Sequence, residues 1–182
     1  PLVVGAAVFG VGMQIANGCG SGTLVAAGQG SRRMWLALPF FCLGGVLGSL
    51  MLPAALRLPG LGVVDLAEWF GPWGGLLVTE VLLGVGALLV LRGAWPGGRR
   101  RLAGALVGTL AAVLFLASGE PWGITLGLTL WGAKALAAVG VDLSGAEFWA
   151  DPGARALLEG PVLALRGSLS DAGLLLGALL AA

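Results

Sequence analysis

The chain has no histidine and no tyrosine, and only two cysteines among its 182 residues. Without histidine it lacks the commonest general base, the commonest metal ligand and the usual proton relay at neutral pH. Two cysteines, Cys19 and Cys42, are too few for a self-contained thiolate metal site, so neither a metal nor a cofactor is expected. Both lie in apolar sequence and read as free thiols. Charge is also scarce. Charged residues are 10% of the chain, against about 25% in soluble domains. With a net charge of +1 and no basic stripe, nucleic acid is excluded as a partner.

Hydrophobic length is what the sequence has in excess. Hydrophobic residues make up 58% of it, and the mean hydropathy is +0.98. The apolar runs are long and continuous, unlike the short alternating segments of a membrane β-barrel. The fold class expected is all-α: a polytopic helical protein of the lipid bilayer, with broken or short intramembrane helices. One integral membrane domain over residues 1–182 is expected, with spans at about 2–16, 34–52, 75–91, 102–117, 124–139 and 172–182. The chain opens on Pro1 and ends inside an apolar run, and so reads as a piece truncated at both ends.

Loop charge orients these spans. The run Arg99-Arg100-Arg101 is the most basic loop and is expected on the cytoplasmic side. Arg32 and Arg33, two spans away, then fall on the same side. The loop 53–73, richer in acid, falls outside, with a short interfacial helix over Val63–Phe70. The stretch Gly140–Asp171 reads as an outer loop with a short helix near Ala154–Leu165.

One run departs from this pattern: Asn17-Gly18-Cys19-Gly20-Ser21-Gly22-Thr23, set between apolar segments. Lipid offers a backbone no hydrogen bonds, so a broken helix is tolerated there only where protein buries it or it lines a cavity. Gly18, Gly20 and Gly22 permit close backbone approach and positive φ. A helix starting near Ser21 would aim unpaired N–H groups and its positive dipole end at whatever sits by Cys19. That arrangement suits a small anion, and a neutral thiol is a polarisable, weak donor suited to a soft sulfur-containing one. The competing use of such glycines is close helix packing. The polar Gln14, Asn17, Ser21 and Thr23 around the thiol favour a site.

A second break, Ser118-Gly119-Glu120-Pro121-Trp122-Gly123, precedes the apolar helix from Ile124. Glu120, Trp122 and Gly123 are expected to face the first break. Glu120 admits three roles: helix cap, coupling-proton carrier or solvated turn residue. Lys134, inside an apolar helix, is either functional or snorkels to an interface. Cys42, in Phe40-Phe41-Cys42-Leu43, reads as packing, and the tryptophans read mostly as interfacial belt residues. Paired breaks of this kind accompany internal repeats in transporters. No second copy of the Cys19 motif occurs, so any repeat would be incomplete in this chain.

Gly12-Met13-Gln14-Ile15-Ala16-Asn17-Gly18-Cys19-Gly20-Ser21-Gly22-Thr23-Leu24 carries a family resemblance. So do Gly28-Gln29-Gly30-Ser31-Arg32, Gly119 through Thr125, Leu130 through Lys134, and Asp171-Ala172-Gly173 with the following Gly177 through Ala182. Together they resemble the YeeE/YedE family over nearly the whole chain. The resemblance implies a multi-pass protein of the prokaryotic inner (plasma) membrane with pseudo-symmetric halves. It also implies uptake of thiosulfate or a related small sulfur anion past cysteines whose thiols hydrogen-bond its sulfur, and no enzymatic activity. Cys19 matches the family's Gly-Cys motif. The expected substrate-binding set is Cys19, Asn17, Gly18, Gly20, Ser21, Gly22, Glu120, Trp122 and Gly123. Two alternatives stay open. One is a membrane component of a sulfur relay, in which Cys19 carries a persulfide to a cytoplasmic sulfurtransferase. The other is a selenium-compound permease.

Overall fold

The computed structural model describes residues 2–58, 65–91, 96–119 and 123–182. Among them, helices α1 (Leu2–Ala16), α2 (Gly20–Gly28), α3 (Arg32–Leu56), α4 (Leu66–Leu91), α5 (Gly98–Ser118), α6 (Thr125–Ala138), α7 (Glu147–Ala150), α8 (Pro152–Glu159) and α9 (Arg166–Leu180) follow in order. A single 3₁₀ turn, Val162–Ala164, precedes α9, and no described residue lies in a strand. The chain forms two compact units, residues 60–120 and the remainder.

In the second unit α4 and α5 are apolar nearly all round, apart from Glu68 and Glu80 on α4 and Arg99–Arg101 in the first turn of α5. No side chain of α5 is buried, and residues such as Leu82, Val90, Leu110 and Leu116 stand open. A helix hydrophobic all round is one that hydrocarbon surrounds. Their few hydroxyls are satisfied locally: Thr79 Oγ1 donates to the Gly75 carbonyl and Thr109 Oγ1 to the Ala105 carbonyl, each at 2.9 Å. Val63 and Val64 lie outside the described residues. The rest of the expected interfacial helix, Leu66 to Phe70, is helical and leads into α4 across Gly71, whose φ of 73° breaks the helix. Among the described residues, three helices are long and apolar enough to cross a membrane: Arg32–Leu56, Trp73–Leu91 and Gly98–Ser118. The chain is thus a helical membrane protein. Helix α6, with 14 residues, is about 21 Å long, short of a hydrocarbon core of about 30 Å.

The first unit holds the buried core. Val46, Leu130, Ala133, Leu143 and Trp149 form one cluster, and Leu24, Leu38 and Leu128 another. Helices α3 and α6 run antiparallel, because Cys42 meets Gly132 while Gly45 meets Thr129. A Cβ on Gly132 would stand 2.6 Å from the Cys42 carbonyl oxygen, and one on Gly45 would collide with Thr129 Oγ1. The helices approach this closely only because those side chains are missing. Helix α9 crosses α2 at Gly28, against Leu175 and Ala178, and crosses α6 where Gly127 meets Gly167 and Ser168.

Two expectations are corrected. Helix α3 does not close at Pro53 but runs on to Leu56. Proline removes one backbone bond, and membrane helices tolerate that loss. Trp149 is not an interfacial residue: it is 0% exposed, and its indole N–H donates to Ser49 Oγ at 3.0 Å. Ser49 in turn donates to the Val46 carbonyl at 2.7 Å. The Lys134 Nζ donates to the carbonyls of Leu158 and Gly160 at 2.7 and 2.6 Å. Those carbonyls lie at the C-terminus of α8, where a cation complements the helix dipole.

Substitution of Gly132 by Ala should destabilise the folded protein by about 1–3 kcal/mol, the usual penalty for overpacking a close crossing. Gly104 of α5, which has nothing within 4 Å of a built Cβ, should accept Ala without loss. Thermal unfolding of the two variants in detergent measures the contrast.

Candidate functional site

The break around Cys19 is built by a helix that stops and another that starts at once. Helix α1 ends in a paired closure. The Gly18 N–H donates to the Met13 carbonyl at 3.1 Å and the Asn17 N–H to the Gln14 carbonyl at 3.3 Å. This is the Schellman pattern, which needs one residue in the left-handed region. Asn17 takes that place, with φ 60°, and it is the only non-glycine residue with positive φ among those described. Gly18, Gly20 and Gly22 permit positive φ, but none of them uses it. Asparagine tolerates the left-handed region because its short polar side chain bonds locally.

Helix α2 starts three residues later than Asn17, at Gly20, with Cys19 as its N-cap in extended backbone. The start lies one residue earlier than expected. Its first internal bond runs from the Thr23 N–H to the Cys19 carbonyl, at 2.9 Å. The N–H groups of Gly20, Ser21 and Gly22 thus lie ahead of the α-helical ladder, with those of Ser21 and Gly22 turned toward the Cys19 sulfur. Cys19 makes no side-chain capping bond. Its Sγ lies 3.1 Å from Ser21 Oγ, and a Cβ on Gly22 would stand 3.7 Å from the sulfur. Cys19 and Cys42 are both free thiols and both half-buried.

The glycines of this break are not close-packing glycines. A Cβ on Gly18 or Gly22 would meet only the break's own atoms, and one on Gly20 would make ordinary contacts with Ile124 and Leu128 at 3.6 and 3.5 Å. The crowded positions are elsewhere, at Gly28, Gly45, Gly127, Gly132 and Gly167.

Two further helix starts lie against this one. Ile124, which touches the Gly20 position, is the N-cap of α6. Gly167, in the first turn of α9, lies against Gly123: a Cβ on it would stand 2.8 Å from the Gly123 carbonyl oxygen. The N-termini of α2, α6 and α9 therefore gather around residues 123–128. Each brings unpaired N–H groups and a partial positive charge. Gly123 is the one member of the expected second break that belongs to this junction; Glu120 and Trp122 lie outside the described residues.

Thr23 was not among the expected site residues, although it closes the motif. It is fully buried, and its Oγ1 has no hydrogen-bond partner among the described residues. The hydroxyl leans toward Gly18, 3.7 Å from where a Cβ there would stand. Gly18, Cys19, Gly20 and Ser21 are half-buried, whereas Gln14, Asn17 and Gly22 are exposed. A cavity of about 590 Å³ begins at Gly20 and continues along Phe41, Gly44, Gly48, Thr125 and Leu128. Its walls are mostly apolar and small, so the polar groups that could hold an anion lie at the break rather than along the cavity. Among the described residues no group of three or more Cys, Asp or Glu side chains could hold a metal ion.

A helical membrane protein with broken helices meeting end to end is the class this architecture defines. A family model described as sulphur transport matches residues 1–182, and the chain belongs to that family. It is 34% identical over 95 residues to "Probable transporter YedE" of Escherichia coli (strain K12), a match covering 49% of this chain and 23% of that protein. The protein of the same name from Salmonella typhimurium is 35% identical over the same share of each chain. The matched part thus spans less than a quarter of the length of these relatives. No solved structure matches the chain.

The left-handed backbone at residue 17 makes its own prediction. Asn17→Gly should leave folding intact, whereas Asn17→Val should lose about 1–2 kcal/mol, the cost of left-handed backbone for a side chain branched at Cβ. Comparing the thermal stability of the two variants with wild type checks it.

Proposed function

We propose that this chain forms part of a permease for thiosulfate or a closely related sulfur anion, and that the anion passes the break at Cys19. The observation that carries the reading is the α2 start. A half-buried thiol sits at its N-cap, with Ser21 Oγ at 3.1 Å, and the N–H groups of the first turn, which no helix carbonyl takes, converge on it. Membership of the sulphur transport family and similarity to a probable transporter support it.

The chemistry divides between the two ends of the anion. The oxygen end is a hard, multiply charged acceptor, which the N–H groups of Gly20, Ser21 and Gly22 and the hydroxyls of Ser21 and Thr23 can meet. The terminal sulfur is soft and weakly solvated, and a neutral Cys19 thiol donates to it without adding negative charge. A thiolate at the same place would repel the anion. Helix dipoles offset part of the desolvation cost and leave no fixed cation to trap the anion, which a permeation pathway requires. Asn17 and Gly18 set the angle at which α2 departs, and Gly123 belongs to the opposing side. The role is transport without catalysis, in the plasma membrane, with the Arg32–Arg33 and Arg99–Arg101 loops cytoplasmic. A sulfurtransferase on the inner side would consume the anion and pull the flux.

Cys19→Ala and Cys19→Ser should abolish thiosulfate-dependent growth, with membrane insertion unchanged, while Cys42→Ala should leave growth intact. Wild-type uptake of labelled thiosulfate by the Cys19 variants would remove the thiol from the pathway.

A further inference from the structure

Asp171 lies in the second turn of α9 and is 0% exposed. Neither of its carboxyl oxygens has a hydrogen-bond partner among the described residues. One of them presses against Gly127: a Cβ built on that glycine would collide with Oδ2. Gly127 belongs to the first turn of α6, next to Leu128, which touches the Gly20 position of the break. The buried acid and the Cys19 break are therefore held by successive residues of one helical turn.

We propose that Asp171 is the proton-binding site of a proton-coupled transport cycle, protonated when the anion occupies the break and deprotonated when the site is reset. This proposal rests on the reading of the Cys19 break as the anion pathway. Burying an ionised carboxylate without a partner is costly, and the neutral acid avoids most of that cost. An ionised Asp171 would also sit beside the gathered helix N-termini and cancel part of the positive potential that holds the anion. Proton and anion therefore favour each other, and by linkage the effect is reciprocal. The balance is simple. One proton from the outer solution adds to the Asp171 carboxylate as the anion binds, and the same proton leaves to the inner side when the anion is released. No bond of the anion is made or broken.

The surroundings single out this group. Helix α2, Gly-Ser-Gly-Thr-Leu-Val-Ala-Ala-Gly, brings no titratable side chain of its own, only the Cys19 thiol at its N-cap, and the 3₁₀ turn Val162–Ala164 brings none. Helix α3 brings the Cys42 thiol, close enough to feel the Asp171 charge. Helix α6 brings Gly127 and Trp131, whose indole N–H donates to Ser168 Oγ at 2.5 Å, and Lys134, whose ammonium is held by two carbonyls of the α8 end. On α9 itself Arg166 has an interaction of its own.

The test uses the full-length protein containing this chain, in liposomes loaded with a fluorescent pH indicator. An inward thiosulfate gradient should acidify the lumen, and uptake should be fast at acid pH and fall about tenfold per pH unit above the midpoint, the slope of a one-proton linkage. Thiosulfate keeps both its charges across this range, so the slope belongs to the protein. Asp171→Asn, a permanently neutral analogue, should still bind thiosulfate, with an affinity that no longer depends on pH, but should move no protons and lose net uptake. Uptake that needs Cys19 but moves no protons in wild type would overturn the proposal and leave the pathway reading standing. The same pH slope in Asp171→Asn would also overturn it. If wild type moves no thiosulfate at all, the pathway reading falls and the proposal with it. Should Asp171→Asn fail to insert, the wild-type proton flux alone decides.

Discussion

A backbone in hydrocarbon has no solvent to bond to, so a helix can be interrupted there only if the loose N–H and carbonyl groups are gathered up. The carbonyl end of α1 meets this constraint through its own closure, with Gly18 and Asn17 bonding back to Met13 and Gln14. The N–H end of α2 does not. Between them stands a single extended residue, Cys19. The asymmetry leaves donors exposed to the break and acceptors withdrawn from it. Further helix starts at Ile124 and Gly167 add to the same sign of potential. The rest of the first unit serves to hold these ends together, through crossings at Gly28, Gly45, Gly127, Gly132 and Gly167, where no side chain intervenes.

Much of this was legible in the sequence because composition and periodicity act locally. The helical membrane class follows from the scarcity of charge, and the break from polar and glycine residues inside apolar runs. What the sequence did not disclose depends on which residues meet across space. The glycines of the break look identical in sequence to those of the helix crossings, yet only the latter are crowded. Asn17, and not a glycine, takes the left-handed backbone, because the closure of α1 falls there. Trp149 resembles a belt tryptophan until Ser49, a hundred residues away in sequence, accepts its N–H. Thr23 and Asp171 stand in segments the sequence singled out, but nothing there marked them as buried without partners; their burial comes from α9 lying over α2 and α6.

The polar side chains fall into two groups by how their burial is offset. Lys134, Trp131 and Trp149 find definite acceptors, and those bonds fix α8, α9 and α3 against their neighbours. Thr23 and Asp171 find none among the described residues. Buried groups without partners are uncommon in folded proteins and point to a role beyond the fold. Both lie on the same small region, one beside the thiol and one beside the α6 start. A transport site must bind its cargo weakly enough to release it, and such sites use donors that the fold leaves unspent. Under this account the unpaired groups are supplied by the substrate on one side and by a proton on the other.

Protection of the Cys19 thiol tests the account most directly. In a Cys42→Ala background, a membrane-impermeant maleimide should label Cys19, and thiosulfate should slow that labelling while sulfate at the same concentration does not. An unreactive Cys19, or a labelling rate indifferent to thiosulfate, would contradict a passage for the sulfur anion at the α2 start.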